Sequence, residues 1–544
     1  MKQKIKENVM LNKIWMLCKR VKIWYAFFAM LFSTMLITSR HIINLSVENT
    51  TIDSTYVTDF HFIDVIAWIL SVIIIYILVK TVTYIFQSFG KIFFQEERKA
   101  KSAIWVLIAS LLFLMTLWFP YLPSYWPGGI YSDTVDSINM ALGKAALDNH
   151  NPILYTQIWR IMFQVTGAFS GAGEYGGLKL FTVVQTFLLA LSLSYFIYRC
   201  YKAGIHKVFV FLCLLIFGLF PLYPFYGISL WKDTLFSIAV FIFSVFLYYT
   251  FDNLDKDISW KQLFIYCLLS LLIIFLRNNG IYISVFYSVM ITLLCMKKKK
   301  TAVKIGSASF IIIAISGIIC GPVFNHYGYN IDRSTESLGI PLQQTAYIIA
   351  TDGKMTEKDI EVIENIMPLE SWIELYDPIT IDTIKFDPGF NREYLESNTS
   401  EFIEVYLDLV VKNPVKAVKA YMLTTMGFWD IFEGSSTAYI CNFHFGNVEY
   451  FMSDYFDYYL DISFRNYVEP KIYISAAIFI WFMIGTIFIC LARKNYKGLI
   501  PIMPTLGLWL SIMAAVPVAF SFRYVYAVFL CVPLYIILCV RSFK

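Results

Sequence analysis

Twelve long apolar runs dominate the chain and leave few ways to fold it. They lie near 23–39, 62–86, 103–122, 178–198, 208–226, 230–250, 262–276, 280–296, 303–321, 472–491, 499–519 and 524–540. A helix needs about 20 mostly apolar residues to cross a bilayer core. Inside hydrocarbon every backbone N–H and C=O must be satisfied within the protein. The runs therefore predict an all-α polytopic membrane protein with about twelve transmembrane helices. The seventh and eighth are short and share a polar hinge, Arg277-Asn278-Asn279-Gly280, so they also read as one re-entrant pair. Composition agrees, with 15% of residues charged against 58% hydrophobic, where soluble domains run near a quarter charged. A soluble multidomain enzyme is excluded, as is a disordered or fibrous chain. A net charge of +5 over 544 residues implies no nucleic-acid partner.

The basic residues have another use, which is orientation. Residues 1–22 form a tail carrying Lys2, Lys4, Lys6, Lys13, Lys19, Arg20 and Lys22. Alternate loops carry Lys91, Arg98, Lys99 and Lys101; then Arg199, Lys202 and Lys207; then Lys297 to Lys300; then Arg493, Lys494 and Lys497. The chain ends on Arg541 and Lys544. Twelve spans put all of these on one face, which is expected to be cytoplasmic, with both termini there. No small-residue cleavage site follows the first apolar run, so it reads as an anchored helix ending near Thr38-Ser39-Arg40-His41 rather than a cleaved signal. The ten cysteines lie mostly inside spans, where they act as small apolar residues. Only Cys441 falls in the large outer region, so no disulfide framework is expected there. Usage rich in Lys, Ile, Asn and Phe suggests a bacterial cell membrane.

The first nine spans occupy 23–321 and the last three 472–544. Two segments on the lysine-poor face exceed connector length, and long connections usually carry function. Segment 322–471 is domain-sized and holds 24 Asp and Glu against 10 Lys and Arg. It reads as a mainly helical extracytoplasmic domain. A helix start is expected at Thr356-Glu357-Lys358-Asp359, with an apolar stripe of Ile360, Ile363 and Ile366. One or two helices are expected from Phe402 to Gly427, interrupted at Pro414, with turns at Pro378 and Pro388. The patch Leu338 to Gln344 is expected to pack on the membrane surface. The stretch Tyr450 to Tyr459 has aromatics suited to an interface or a sugar ring.

Segment 123–177 is the more informative. After Trp126-Pro127-Gly128-Gly129 come Tyr131, Ser132, Asp133, Thr134 and Asp136, then Asn149-His150-Asn151-Pro152. Ser132 or Asp133 is expected to cap a short helix through about Leu147, with Asp133 and Asp136 on one face. A carboxylate at the membrane surface costs free energy unless it is paired or solvated. Glycosyl transfer from a lipid-linked sugar needs a base at that level to deprotonate the acceptor hydroxyl. The polyprenol phosphate leaves as an anion and needs positive charge around it. Lys232, Arg277 and Arg523 are the candidates for that charge, each in a different short loop of this face, and guanidinium groups match phosphate geometry. The plainer reading is that each snorkels to lipid headgroups. Asp233 adjoins Lys232. His150, Tyr131, Asn278 and Tyr524 are candidate substrate-binding residues.

With its Tyr131-Ser132-Asp133-Thr134, Asn149-His150-Asn151-Pro152, Trp231-Lys232-Asp233, Arg277-Asn278-Asn279-Gly280 and Leu342-Gln343-Gln344 motifs in this order and on this side, the chain resembles the GT-C superfamily of integral-membrane glycosyltransferases. The likeness is to a bacterial multi-pass branch and covers roughly 100–540. It implies a donor sugar on a polyprenyl phosphate and a cell-envelope polymer or glycolipid as acceptor. It implies that Asp133 takes the place of the first-loop catalytic acid. Asp233 matches a second acid that positions acceptor or metal in some members, and Arg523-Tyr524 is similar to an Arg-Tyr pair facing the donor phosphate. The 322–471 insert before the last three spans departs from the many members whose soluble domain is C-terminal. Some members use a divalent metal and others none; Asp133, Asp136 and Asp233 could hold Mg²⁺ or Mn²⁺ through oxygens. A polysaccharide polymerase or ligase remains an alternative, as does a transporter or flippase of a glycolipid. The charges cluster at span ends rather than mid-span, and no internal repeat of the transporter kind is evident.

Overall fold

The structure is a computed structural model. It describes residues 22–45, 54–96, 98, 100–130, 132–148, 151–167, 174–251, 257–327, 329, 334–432, 474–515, 518–519, 521 and 522–543. The protein is predominantly helical, with 79% of the structure in helix. Each apolar run of the sequence is helical: Ile23–Ser39, Phe62–Phe93, Ala100–Trp118, Glu174–Lys202, Lys207–Leu219 with Leu222–Ile228, Lys232–Phe251, Trp260–Leu276, Gly280–Leu294, Lys299–Ile318, Ala476–Ala492, Met503–Ala515, and Tyr526–Leu530 with Val532–Arg541. Among the described residues six continuous helical stretches are long and apolar enough to cross a membrane. Two bent pairs, broken at Phe220-Pro221 and Cys531, raise this to eight, and four more apolar helices are shorter. Among the described residues the one sheet is a hairpin in which Ile42–Leu45 pairs antiparallel with Ser54–Val57.

The helices divide into hub and rim. Lys232–Phe251 is 72% buried along its apolar window, and Phe236, Phe241, Phe243 and Leu247 are fully enclosed. Glu174–Lys202 and the final helices pack around it, bringing in Leu193, Phe196, Tyr526 and Leu534. Phe62–Phe93 is the opposite case. Only 6% of its window is buried, and Ile66, Ile69, Leu70, Ile73, Ile74 and Ile77 face outward. A helix this apolar and this uncovered needs a hydrocarbon solvent, not water.

The 322–471 segment contributes a second core between Lys299–Ile318 and Ala476–Ala492. Thr356 caps Glu357–Ile366, and Asp359 reaches back to the Thr356 N–H at 2.7 Å, which closes a capping box. Val362, Ile363 and Ile366 then pack with Trp372, Leu395, Phe402 and Leu409. Thr399–Lys412 and Pro414–Thr425 are separate helices, with Pro414 at the first helical position where its missing N–H costs nothing. Within Leu338 to Gln344, Ile340 joins the core of the helix bundle. The patch opens the helix Gly339–Ala350, where Leu342 is fully buried in the insert's core. Gln344 donates to Ala417 O at 2.8 Å and accepts from the Tyr406 hydroxyl at 2.6 Å, so one of the paired amides ties three helices together. Cys441 and the stretch 450–459 lie outside the described residues.

Candidate functional site

The site is built on a loop-to-loop clamp. Gly129 N–H donates to Ile228 O at 2.9 Å and Leu230 N–H donates to Gly129 O at 2.8 Å. This bridge lashes the segment before Asp133 to the segment before Lys232. The fit at Gly128 admits no side chain. Its φ is +128°, and a Cβ would run into the Thr182 hydroxyl and the Leu230 side chain. Leu230 O takes two more hydrogen bonds, from the Thr134 hydroxyl at 2.6 Å and from the Tyr155 hydroxyl. Gln185, a lone amide inside an apolar helix, donates to Ser229 O at 2.7 Å and Gly227 O at 2.9 Å. The backbone that presents Lys232 and Asp233 is therefore held from three sides.

The helix carrying Asp133 runs Ser132–Ala141 and stops six residues before the expected end near Leu147. Gly143 ends it. With φ +74° it sits in the left-handed region, and Lys144 N–H reaches back to Asn139 O at 2.8 Å, a glycine C-cap. Asp133 lies in the first turn, half-buried, and Asp136 is exposed one turn later.

Three cations from three separate segments meet two carboxylates here. Lys232 Nζ lies 3.4 Å and Arg523 Nη1 3.5 Å from the same oxygen, Asp133 Oδ2. Arg277 Nη1 lies 2.9 Å from Asp233 Oδ1, and Arg523 Nε lies 4.0 Å from Asp233 Oδ2. Arg523 thus touches both acids. The N–H vectors of Arg277 do not point along the 2.9 Å line, so that contact is an ion pair without hydrogen-bond geometry. The side chain of Asp133 is 28% exposed and that of Asp233 only 1%. That contrast separates a partly open carboxylate from one closed over by its cations.

Aromatic faces set the guanidinium planes. Arg277 sits over Tyr524 at 4.8 Å and over Phe236 at 5.5 Å. Arg523 sits over Tyr524 at 5.1 Å and over Trp231 at 5.3 Å. The Tyr524 ring therefore borders both arginines. The Arg277 hinge turns tightly, with Gly280 N–H on Arg277 O at 2.8 Å. Gly280 is required there because a Cβ would strike the Ile273 backbone. Asn279 Nδ2 donates to Ser511 Oγ at 3.0 Å, whereas Asn278 is exposed.

The structure thus brings together Asp133, Lys232, Asp233, Arg277, Arg523 and Tyr524. The ion pairs of the three cations go to Asp133 and Asp233, not to Asp136. Tyr131, Asn149 and His150 lie outside the described residues. Gln185, Tyr155, Thr134 and Asn151, whose Oδ1 accepts from Lys232 Nζ at 2.9 Å, belong to the site's framework and were missed as such by sequence reasoning. Gln185 carried a signal, being a buried amide in an otherwise apolar span. A divalent cation does not fit this arrangement. Among the described residues no three His, Cys, Asp or Glu side chains form a ligand set, and three cations beside two carboxylates would repel one. The cluster suits an anion instead: Lys and Arg donors converge on a half-open acid in an otherwise apolar bundle.

Comparison with curated proteins yields no match, and neither does comparison with solved structures. One family model matches residues 97–544, which takes in every residue of the cluster. The chain belongs to that family, DUF6020, a family of unknown function.

Proposed function

We propose that the protein is a GT-C-type membrane glycosyltransferase with twelve spans, both termini cytoplasmic and the cluster on the opposite face. It transfers a sugar from a polyprenyl-phosphate donor to a cell-envelope acceptor. The observation that carries the reading is the meeting of Lys232, Arg277 and Arg523, from three separate segments, around Asp133 and Asp233.

In this reading the donor phosphate takes its place among Lys232, Arg523 and Arg277. Asp133, the accessible carboxylate, removes the proton from the acceptor hydroxyl. The acceptor oxygen forms a bond to the anomeric carbon as the bond from that carbon to the phosphate oxygen breaks. The bonding pair leaves with the polyprenyl phosphate, and the fixed cations stabilise the charge that develops there. Asp233 is engaged by Arg277 and Arg523, so its role is to orient them.

Asp133→Asn is expected to abolish transfer from a polyprenyl-phosphate sugar in proteoliposomes while expression and melting temperature hold. Retained transfer would move the base elsewhere, to Asp136 first. The central place of Arg523, in contact with both acids, also suits a polysaccharide polymerase or ligase relying on arginine. That reading expects Arg523→Ala to stop the reaction and Asp133→Asn to leave most of it.

A further inference from the structure

The amide of Asn151 is only half used. Asn151 is buried just ahead of Pro152 and the helix Ile153–Val165. Its Oδ1 accepts a hydrogen bond from Lys232 Nζ at 2.9 Å. Its Nδ2 is also buried, and it donates to nothing among the described residues. The lysine fixes which way the amide faces. An ammonium only donates, so the oxygen must turn to Lys232, and the NH₂ is left on the other prong of the same fork. Buried polar groups nearly always find a partner, and an exception is met by a water, an ion or a ligand.

Lys232 is short of acceptors in the same place. Its ammonium has Asn151 Oδ1 at 2.9 Å and Asp133 Oδ2 at 3.4 Å, which leaves the third N–H direction. An unused amide N–H beside an unused ammonium N–H demands an acceptor, and positive charge favours an anionic one. We propose that Asn151 Nδ2 and Lys232 Nζ hold one oxygen of a prenyl phosphate between them, which makes Asn151 a substrate-binding residue. The assignment rests on the donor-phosphate reading above and refines it. Asn151 moves no proton and forms no covalent bond; it places the phosphate against Lys232.

The test uses the full chain in detergent micelles, with farnesyl phosphate as probe and farnesol as the uncharged control. Wild type is expected to bind the phosphate and not the alcohol. Asn151→Asp keeps an acceptor toward Lys232 in nearly the same shape but removes the donor. Asn151→Leu removes both functions without adding charge, so it separates donor loss from simple repulsion. Both variants are expected to lose at least tenfold in affinity for farnesyl phosphate, with unliganded melting temperatures showing that they fold. If either folded variant binds like wild type while Lys232→Ala does not bind, Asn151 is no ligand and the phosphate reading survives. If wild type binds farnesol as well as farnesyl phosphate, the phosphate reading falls and takes this assignment with it.

Discussion

Arg277 Nη1 lies 2.9 Å from Oδ1 of Asp233, and that carboxylate is 1% exposed. The relationship is asymmetric. Arg277 has aromatic faces on Phe236 and Tyr524 as well, whereas Asp233 has only ion pairs. Removing one member of a buried pair strands the other, at a cost of about 3–5 kcal/mol. Arg277→Ala is therefore expected to lower the thermal stability of the purified chain strongly. Arg277→Ala with Asp233→Asn should recover part of the loss, since no charge is then left buried. A double variant no more stable than Arg277→Ala alone would mean that Arg277 acts through packing and not through Asp233.

Arg523→Lys is expected to be far from conservative. The guanidinium reaches Asp133, Asp233, Ser521 Oγ at 3.2 Å and the Tyr524 hydroxyl at 3.4 Å from one planar group. An ammonium is a point charge and cannot span both acids. One lost charge-assisted hydrogen bond is worth about 1.5–3 kcal/mol, so binding of farnesyl phosphate should weaken roughly 10- to 100-fold. Wild-type affinity in Arg523→Lys would place the phosphate away from Arg523.

The part of this site that sequence exposes is the part made of charge. Charges are scarce in the apolar chain, and one that sits between spans must pair or reach water. That constraint alone singles out Asp133, Asp136, Lys232, Asp233, Arg277 and Arg523, and the structure pairs the three cations with Asp133 and Asp233. The helices were legible for a similar reason, since apolar length dictates them. The framework was not. The Gly129–Leu230 bridge is backbone to backbone and leaves no trace in composition. Asn151 stood in a quoted motif, but nothing in the sequence says that its oxygen faces Lys232. The end of the Ser132–Ala141 helix was readable from Gly143 as a left-handed cap, and the longer helix through Leu147 overlooked it.

Acid should loosen the start of the helix Glu357–Ile366. Burial alone would push the Asp359 carboxyl up, but the Thr356 N–H and hydroxyl and the Lys412 ammonium at 3.1 Å outweigh it. The net effect holds the carboxyl below its ordinary 3.8. A depressed folded value means the contribution is complete above the unfolded value and is lost as pH falls through the folded one. Hydrogen exchange of amides 357–366 is therefore expected to speed up as pH drops below about 3.8, after correction for intrinsic rates. Asp359→Asn should show faster exchange at neutral pH and no such acid step. An unchanged acid step in Asp359→Asn would assign it to another carboxylate.

Two glycines with positive φ make opposite expectations, and the difference tests the loop clamp. At Gly143 a Cβ meets nothing within 4 Å, so Gly143→Asn carries only the left-handed backbone cost, about 1 kcal/mol or less for a residue that tolerates that region. At Gly128 the backbone cost is joined by collision with Thr182 and Leu230, the residue whose carbonyl anchors Thr134 and Tyr155. Relief requires the Thr182 and Leu230 side chains to shift, and Leu230 is bridged to Gly129. Lys232 and Asp233 follow Leu230 within three residues, so they would shift relative to Asp133. Gly128→Ala is thus expected to cost about 1–3 kcal/mol in strain and to weaken farnesyl phosphate binding. Gly143→Asn should leave that binding intact. Equal binding in the two variants would show that the clamp supports the fold without setting the distance between Asp133 and Lys232.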